Sequence, residues 1–329
     1  MQEEEVPLFN EDCGEKIVHL LQPRERWAIE AAVAADRPLL VQGEPGVGKT
    51  QLAMAAAIKL NRPLISFTVD SRSESRDLLW TFDAVQRLAE AQVASAVCRS
   101  EDDLTALMKK IELANFVRPG PIWWALNWNS AEKHLGIGQT PPKKPEKDWS
   151  AKDSVVILID EIDKADRDLP NGLLEVFGSR QFTPHGCTEP VCRESGTKRP
   201  LMIVTTNRER SLPGAFLRRC LTLEMTLPPV LGDRGEELGK DAELAFIQYL
   251  TKRGRLHFPS APPERLEKAA RQIMDYRRTA ERNQQSQKPG QAEFLDLLRA
   301  IHNLADRHDP DQVFDNVCEL FRKPPEQMR

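Results

Sequence analysis

The sequence of 329 residues lacks several features that would place it in a specialised class. No apolar run reaches the length of about 20 residues that a membrane-spanning helix needs, and the acidic start MQEEEVPLFN does not resemble a signal peptide. Excess positive charge is also missing, because the formal net charge is −4. This balance argues against a broad basic surface for nucleic acid, although a local basic patch stays open. We therefore expect a cytoplasmic protein with no membrane partner.

Cysteine is scarce and scattered, with six residues in the whole chain. Such usage is typical of reduced thiols in a cytosolic protein. His185, Cys187 and Cys192 do lie within a stretch of eight residues, but a zinc site would need a fourth ligand and usually a closer cysteine pair. A turn between two strands is the favoured interpretation of this stretch, and a zinc site is the alternative.

Strand-like runs alternate with helical patterns through the first part of the chain. The runs are short, apolar and rich in β-branched residues, and they cover 38–42, 64–70, 155–159, 201–206 and 221–227. Helical periodicity marks 24–36 and 50–60. The alternation predicts an α/β domain around a mainly parallel sheet over residues 1–229. The charged, helical remainder predicts a smaller all-helical domain over 230–329.

Two segments interrupt this pattern. Residues 83–117 are predicted to form a helical insertion, and the polar stretch 129–153, which contains prolines and lysines, is predicted to be a flexible loop. Three tryptophans, Trp123, Trp124 and Trp128, lie between the two segments at partly helical spacing. Core packing is the favoured role for their rings, and a partner-binding patch is the alternative.

The stretch GEPGVGKT (43–50) fits the pattern G-x-x-x-x-G-K-[ST] and lies between a predicted strand and a predicted helix. Glycines in this pattern let backbone N–H groups turn towards phosphate oxygens, and the helix directs its positive dipole end at the same oxygens. Lys49, expected to be an exposed loop residue, would reach the β- and γ-phosphates, and Thr50 would bind Mg²⁺. The predicted nucleotide-binding residues are Gly43, Glu44, Pro45, Gly46, Val47, Gly48, Lys49, Thr50 and Gln51, together with Asp160.

A second motif follows the strongly apolar run VVILI, which ends in Asp160 and Glu161. Asp160 is the other predicted magnesium ligand, and Glu161 is placed where it could activate the attacking water. Asn207 follows the run LMIVTT, and its amide could hydrogen-bond the γ-phosphate or that water. An asparagine after a strand is often only a turn former, so its functional role depends on the two preceding motifs. The nearby Asp163, Lys164 and Asp166 are expected to be surface charges on the following helix.

In order and spacing, the stretches GEPGVGKT, LIDEIDKAD, IVTTN and SLPGAFLRRC resemble the signatures of an AAA+ ATPase. The stretches VRPGPIWWAL and ADRDLPNGLLEVFGSRQFTPHG are similar to the MoxR group and the related dynein-type subfamily. The resemblance covers residues 15–230 and implies an ASCE-type P-loop NTPase, a three-layer sandwich around a central parallel sheet, followed by a helical lid. It also implies ATP or ADP and Mg²⁺ as cofactors, with Asn207 as sensor 1.

The resemblance further implies an arginine finger. Arg219 matches the finger of the MoxR group, and Arg218 is the neighbour that could exchange roles with it. A finger reaches the γ-phosphate bound by an adjacent subunit, which requires a ring; two surface arginines at a helix C-terminus are the alternative interpretation. The usual lid arginine, sensor 2, has no direct match here, and Lys288, Arg277 and Arg278 are the candidates.

For function, the resemblance implies a homo-oligomeric ring, expected to be hexameric, that couples ATP hydrolysis to remodelling, assembly or activation of a protein. A von Willebrand A-domain protein is one expected partner, since MoxR-like proteins often act beside one. Two alternatives stay open: a nucleic-acid motor or loader, and a slow nucleotide-gated switch in a bacterial defence system. The motifs do not decide between ATP and GTP.

Overall fold

The computed structural model describes most of the chain. The described residues are 3–9, 16–97, 105, 108–136, 138–166, 168–178, 181–232, 236, 238–285, 287–305 and 307–321. The strands are β1 (Glu4–Phe9), β2 (Lys16–Leu21), β3 (Leu39–Gly43), β4 (Leu64–Thr68), β5 (Trp80–Phe82), β6 (Val117–Pro119), β7 (Val156–Asp160), β8 (Gln181–Phe182), β9 (Val191–Cys192), β10 (Leu201–Thr206) and β11 (Leu221–Met225).

Five of these strands form a parallel sheet in the order β11-β3-β10-β7-β4. Its register pairs Ile203 of β10 with Leu39 of β3 on one side and with Leu158 of β7 on the other. On the far side of β7, Thr68 of β4 pairs with Asp160. Because parallel strands run in one direction, the carboxyl ends of β4, β7 and β10 meet at the same edge of the sheet. Polar side chains that follow these strands are therefore brought together at that edge.

Helices flank the sheet. They are α1 (Pro23–Ala35), α2 (Lys49–Leu60), α3 (Ala84–Val97), α4 (Pro121–Leu126), α5 (Trp128–Lys133), α6 (Asp168–Gly178), α7 (Gly214–Leu217), α8 (Lys240–His257), α9 (Pro263–Arg282), α10 (Gln291–Leu304) and α11 (Pro310–Val317). The last four helices follow the final strand of the sheet. This arrangement confirms the predicted fold class, a P-loop α/β sheet followed by a helical region.

The chain divides into two compact units. The first contains residues 21–42 and 50–224, and the second contains 3–20, 43–49 and the chain from residue 225 onward. The phosphate loop thus belongs to the unit that also contains the C-terminal helices. The proposed domain boundary between residues 229 and 230 stays a prediction.

The core of the first unit combines the central strand with a group of aromatic side chains. Residues 156–159 of β7 are at most 1% exposed, as expected for a strand with neighbours on both sides. Trp124 and Trp149 each make an edge-on contact with Trp128, with ring centroids 4.7 Å apart. Trp123, Trp124 and Trp128 are each at most 5% exposed, which confirms the predicted core packing.

The segment 129–153 differs in part from the predicted flexible loop. Its first residues belong to α5, and Ala151–Asp153 forms a short 3-10 helix. Between these elements, Trp149 is anchored on the tryptophan group, and Lys144 forms an ion pair of 2.9 Å with Glu132. A polar sequence with one large aromatic side chain can therefore be held against the core without regular secondary structure.

The core of the second unit is formed by the C-terminal helices. Helix α9 buries Leu266, Ala269, Ala270, Ile273 and Met274, which lie on one face at helical spacing, and α10 buries Phe294, Leu297, Leu298 and Ile301 in the same way. The two-stranded sheet β1–β2 belongs to this unit as well, and Glu3 before β1 pairs with Lys252 of α8. Among the described helices, none is both long enough and apolar enough to cross a membrane.

Candidate active site

The glycines of the phosphate loop, residues 43–48, adopt conformations and contacts that exclude larger residues. Gly46 and Gly48 have φ angles of 77° and 98°, in the left-handed region that glycine adopts without strain. A Cβ on Gly46 would lie 2.7 Å from the Cβ of Ala292, and one on Gly43 would lie 2.4 Å from the backbone oxygen of Met225. The backbone at these glycines therefore has no side chain to cover it, so its N–H groups can approach phosphate oxygens closely.

Lys49 begins helix α2 and is only 6% exposed. The prediction that it is an exposed loop residue is therefore wrong. Its ammonium folds back over the loop and donates to the carbonyl oxygens of Gly43 and Glu44, each at 2.8 Å. These contacts hold a positive charge against the bare backbone of the loop, so the loop fits a phosphate group. Of the other predicted loop residues, Val47 is buried and Pro45 is exposed.

The carboxylate of Asp160, at the end of β7, accepts hydrogen bonds from two hydroxyl groups. Thr50 Oγ1 donates to one of its oxygens at 3.0 Å, and Thr205 Oγ1 donates to the other. The Thr205 hydroxyl also accepts the backbone N–H of Glu161 at 2.8 Å. Hydroxyl and carboxylate oxygens are the hard ligands that Mg²⁺ prefers. The two predicted ligands, Thr50 and Asp160, thus lie together in a donor set that fits this ion.

Glu161 has a left-handed backbone, with φ 61° and ψ 50°, which costs about 1–2 kcal/mol for a residue with a side chain. Its Oε1 accepts a hydrogen bond of 3.3 Å from Nδ2 of Asn207, so the structure brings these two predicted residues together. Its Oε2 forms an ion pair with the exposed ammonium of Lys164, and this contact raises the pKa of Lys164. The carboxylate therefore has a partner on each oxygen.

Asp163 corrects the expectation of a surface charge, because its side chain is buried and the residue is only 2% exposed. The short 3-10 helix Ile162–Lys164 turns it inward. Its Oδ2 accepts the backbone N–H groups of Asn207 at 3.0 Å and Glu209 at 2.9 Å. Asp163 therefore fixes the backbone from which the Asn207 amide reaches Glu161.

Arg218 and Arg219 follow the short helix α7, and both are exposed. Arg37, between α1 and β3, holds the backbone beneath them. Its Nε donates to the carbonyl oxygen of Arg219 at 3.0 Å, and its Nη2 donates to those of Arg218 and Cys220. Neither Arg218 nor Arg219 has a carboxylate partner in the described part of the chain. The backbone here is thus tied down while two guanidinium groups face outward.

The three lid candidates for sensor 2 differ in their partners. Lys288 lies 3.6 Å from Glu281 of α9, and Arg278 pairs with a glutamate of α8. Arg277 alone among them contacts the phosphate loop, because its Nη1 lies 2.8 Å from Oε2 of Glu44. This contact is with Glu44 and not with a nucleotide, so the choice of sensor 2 stays open.

The segment considered for zinc forms a small antiparallel pair of strands, β8 and β9. His185, in the connection between them, stacks on Trp80 with ring centroids 6.4 Å apart, and Cys187 is half-buried with a pKa raised by burial. In the described residues no three potential ligands come close enough to hold a metal ion. The turn between two strands, which was the favoured interpretation, agrees with this geometry.

Three residues that shape this site were not identified from the sequence: Thr205, Asp163 and Arg37. Thr205 had a weak signal, because it lies two residues before Asn207 in a buried strand, where a hydroxyl needs a partner. Asp163 and Arg37 had none, since their roles depend on backbone groups more than 40 residues away in the chain.

Comparison with a family model agrees with these observations. The family model of the AAA domain, dynein-related subfamily, matches residues 38–220, which is more than half of the chain. A search of curated proteins found no significant match. Solved structures that align with the chain include NtrX from Brucella abortus in complex with ATP. That alignment has 12% sequence identity and a TM-score of 0.45, and it covers 92% of this chain and 56% of the NtrX chain. NtrX from the same organism in complex with ADP aligns at 14% identity with a TM-score of 0.42, and the alignment covers 89% of this chain and 52% of the NtrX chain.

A protein from Cytophaga hutchinsonii with a provisional ATPase assignment aligns at 14% identity and TM-score 0.37, over 89% of this chain and 74% of its own. The chain spans about half the length of the NtrX chains. The phosphate loop, the strand-end acids and the family match over residues 38–220 lead to one conclusion: the chain belongs to the AAA domain family, dynein-related subfamily, and is an ATPase of that type.

Proposed function

We propose that the side chains described above carry out ATP hydrolysis in distinct roles. The observation that carries this proposal is the cluster at the carboxyl ends of β7 and β10. There Asp160 binds the hydroxyl of Thr50, and Asn207 binds Glu161. A hydroxyl–carboxylate pair suited to Mg²⁺ lies in the same unit as a carboxylate suited to act as a base. This combination is what phosphoryl transfer to water needs.

In this proposal Lys49 binds the β- and γ-phosphates with the ammonium that now bonds to loop carbonyl oxygens. Thr50 and Asp160 would hold Mg²⁺, which when bound neutralises charge on the phosphate oxygens. Thr205 keeps Asp160 oriented through its hydroxyl. The chain's own contribution is therefore to position fixed charges around the phosphates, which is the main element of catalysis in this class of reaction.

Glu161 is the proposed general base. Both of its carboxylate oxygens have partners, Asn207 on one and Lys164 on the other. In this proposal one oxygen exchanges its partner for the attacking water. The Asn207 amide is the partner proposed to be exchanged, because it can then donate to the γ-phosphate instead. Lys164 remains on the other oxygen and holds the carboxylate in place.

The proposal includes a ring, expected to be a hexamer, in which Arg219 acts on the nucleotide bound by the adjacent subunit. Its outward guanidinium and the backbone held by Arg37 support this role. Arg218 occupies the adjacent position and is the alternative finger. The output proposed for the ring is MoxR-like and chaperone-like, the remodelling or assembly of a partner protein such as a von Willebrand A-domain protein.

Glu161→Gln tests the central claim. The amide keeps the shape of the side chain and its contact with Asn207 but cannot accept the proton. We expect the variant to bind Mg-ATP with nearly wild-type affinity and to lose hydrolysis by a factor on the order of 10²–10⁴, the range for general base catalysis. It should also accumulate ATP-bound oligomers, visible by light scattering.

Glu209→Gln is the matched control, because Glu209 is exposed and lies two residues beyond Asn207. It removes one negative charge from the same neighbourhood and should leave turnover unchanged. Wild-type turnover in Glu161→Gln, with nucleotide bound, would show that another group activates the water. An equal loss in both variants would mean that net charge, and not the base, is what matters.

A further inference from the structure

Arg277 is a buried arginine whose principal partner lies in the phosphate loop. Its side chain, on helix α9, is only 6% exposed. Nη1 lies 2.8 Å from Oε2 of Glu44, and Nη2 donates to Oε1 at 2.9 Å. This two-point arrangement is the strongest geometry between a guanidinium and a carboxylate. It joins residues that are 233 positions apart in the chain but belong to the same unit.

The surroundings of this pair form an alternating series of charges. Arg277 also contacts Glu281 one helical turn along α9, at 3.2 Å, and Glu281 lies 3.6 Å from Lys288. The Nη1 group of Arg277 donates to the backbone oxygen of Pro289 at 3.3 Å, close to the start of α10. Two acids and two bases thus balance one another, and Glu44 is the member that belongs to the phosphate loop.

Glu44 is an unfavourable residue for a loop that receives phosphates. It is the second residue of the loop, and its carbonyl oxygen accepts the ammonium of Lys49 at 2.8 Å. A carboxylate in this position would repel the negative charges of a nucleotide, and each additional phosphate would strengthen the repulsion. Arg277 places a positive charge directly on that carboxylate. The loop can then present the charge of Lys49 to the phosphates without opposition.

We infer that Arg277 is a positioning residue that neutralises and orients Glu44, and that this pair makes the loop able to bind a nucleoside triphosphate. The inference rests on the proposed binding of nucleotide by the phosphate loop. Its direct consequence is selective: loss of Arg277 weakens binding of ATP more than binding of ADP, because ATP carries the additional charge. Loss of Glu44 together with Arg277 removes the cause of that weakening.

A double-mutant cycle tests this inference. The variants are Arg277→Gln, Glu44→Gln and the two combined, and the measurement is the Kd of a fluorescent ATP and a fluorescent ADP. We expect Arg277→Gln to weaken ATP binding by about tenfold or more, within the range for coupled charged neighbours, and ADP binding by less. Glu44→Gln alone should strengthen ATP binding relative to ADP binding, because it removes the repelling carboxylate and leaves the charge of Arg277 in place. The double variant should recover most of the lost ATP affinity.

Each result of the cycle decides the question. If the double variant binds ATP as weakly as Arg277→Gln, the arginine acts on the nucleotide itself and the inference is overturned. Unchanged ATP affinity in Arg277→Gln would overturn it as well. Thermal unfolding checks that the variants fold; if Arg277→Gln does not, Arg277→Met, with and without Glu44→Gln, completes the same cycle, because it removes the same charge and keeps an apolar stem in the buried position.

A failure of the proposed function is separable from a failure of this inference. If the chain did not bind nucleotide at the phosphate loop, a substitution of Lys49 would leave ATP affinity unchanged, and no variant in the cycle would distinguish ATP from ADP. If nucleotide binding depends on Lys49 but the cycle shows no recovery, only the role of Arg277 is lost.

Discussion

The two units hold their acidic side chains by different means. In the first unit, Asp160 is bound by two neutral hydroxyl groups, and one of these, on Thr205, comes from a neighbouring strand. In the second unit, Glu44 is bound by the guanidinium of Arg277, which comes from a helix. The partners of the first acid are neutral, and the partner of the second is a cation. The difference shows that the partner of an acid decides its effect: with neutral partners it can bind a metal ion, and with a cationic partner it no longer repels phosphate.

Their mechanical consequences differ as well. The position of the Thr205 hydroxyl is set by the register of β10 against β7, which cannot slip without reversing the faces of the strand. The Arg277 contact depends on side-chain rotation and on the packing of α9 and α10. We therefore expect the contact between Thr205 and Asp160 to keep its geometry through the catalytic cycle, and the Glu44–Arg277 pair to be the part that responds to nucleotide.

The largest effect should follow from removing the ammonium group of Lys49. Lys49→Met keeps the buried aliphatic stem of the side chain and removes the ammonium that bonds to the loop. ATP binding and hydrolysis should both be lost, because the loop then has no positive charge for the β- and γ-phosphates. Isothermal titration with ATP measures the binding.

Lys59→Met is the matched control, since Lys59 lies in the last turn of the same helix and is exposed. It should bind ATP like the wild type. Normal ATP affinity in a folded Lys49→Met variant would remove the phosphate loop from the mechanism, and the comparison between the two units would lose its functional meaning.

The next largest effect concerns Arg219, which is proposed to act on the nucleotide bound by the adjacent subunit. Arg219→Ala should reduce hydrolysis by a factor on the order of 10³, as for arginine fingers in general, with little change in ATP affinity. The same change at Arg218 should cost less, because Arg219 is the residue that matches the finger. Steady-state hydrolysis and nucleotide titration separate the two effects.

Mixing subunits sharpens this test. Arg219→Ala subunits keep a working phosphate loop, and Lys49→Met subunits keep a working finger. If fingers act on the adjacent subunit, a mixed ring contains some interfaces with both parts, and part of the activity returns. A mixture that forms rings but stays inactive would contradict the assignment of Arg219 and direct attention to Arg218.

Much of the fold and of the site could be predicted because their signals are local. The strand LMIVTT was predicted with the bounds that β10 has, and the motif of residues 43–50 stands between the strand and the helix it requires. Glycine conformations, apolar runs and a terminal acid pair are properties of a few consecutive residues. Such properties can be read without knowledge of the distant chain.

The parts that could not be predicted depend on pairs of distant residues. An aspartate such as Asp163 is normally expected at the surface. It is a buried acceptor here because the backbone after β10 approaches it and donates two N–H groups to it. Likewise, Arg277 and Arg278 are adjacent and chemically identical, and the sequence gives no reason to prefer either. Their separation by one residue, about 100° around a helix, sends one to Glu44 and the other to Glu243.

The smallest effect expected is the one that most directly isolates the strand-end cluster. Thr205 is fully buried, and its hydroxyl donates to Asp160 and accepts the backbone N–H of Glu161. Thr205→Val keeps the shape and removes both hydrogen bonds. We expect kcat to fall by about ten- to a hundredfold, the range for groups that orient a metal ligand, and the requirement for Mg²⁺ to rise. Titration of hydrolysis against Mg²⁺ measures both.

Two further variants decide whether this loss comes from the site or from the core. Thr206→Val makes the same change in the next residue, which is buried to a similar extent and whose hydroxyl accepts the backbone N–H of Arg208; it should leave the Mg²⁺ requirement unchanged. Thr205→Ser restores the hydroxyl and should recover most of the activity. If Thr205→Val and Thr206→Val lose activity equally, with the same Mg²⁺ requirement, the hydroxyl of Thr205 acts only through stability. The rigid orientation of Asp160 by a neighbouring strand would then have no part in catalysis.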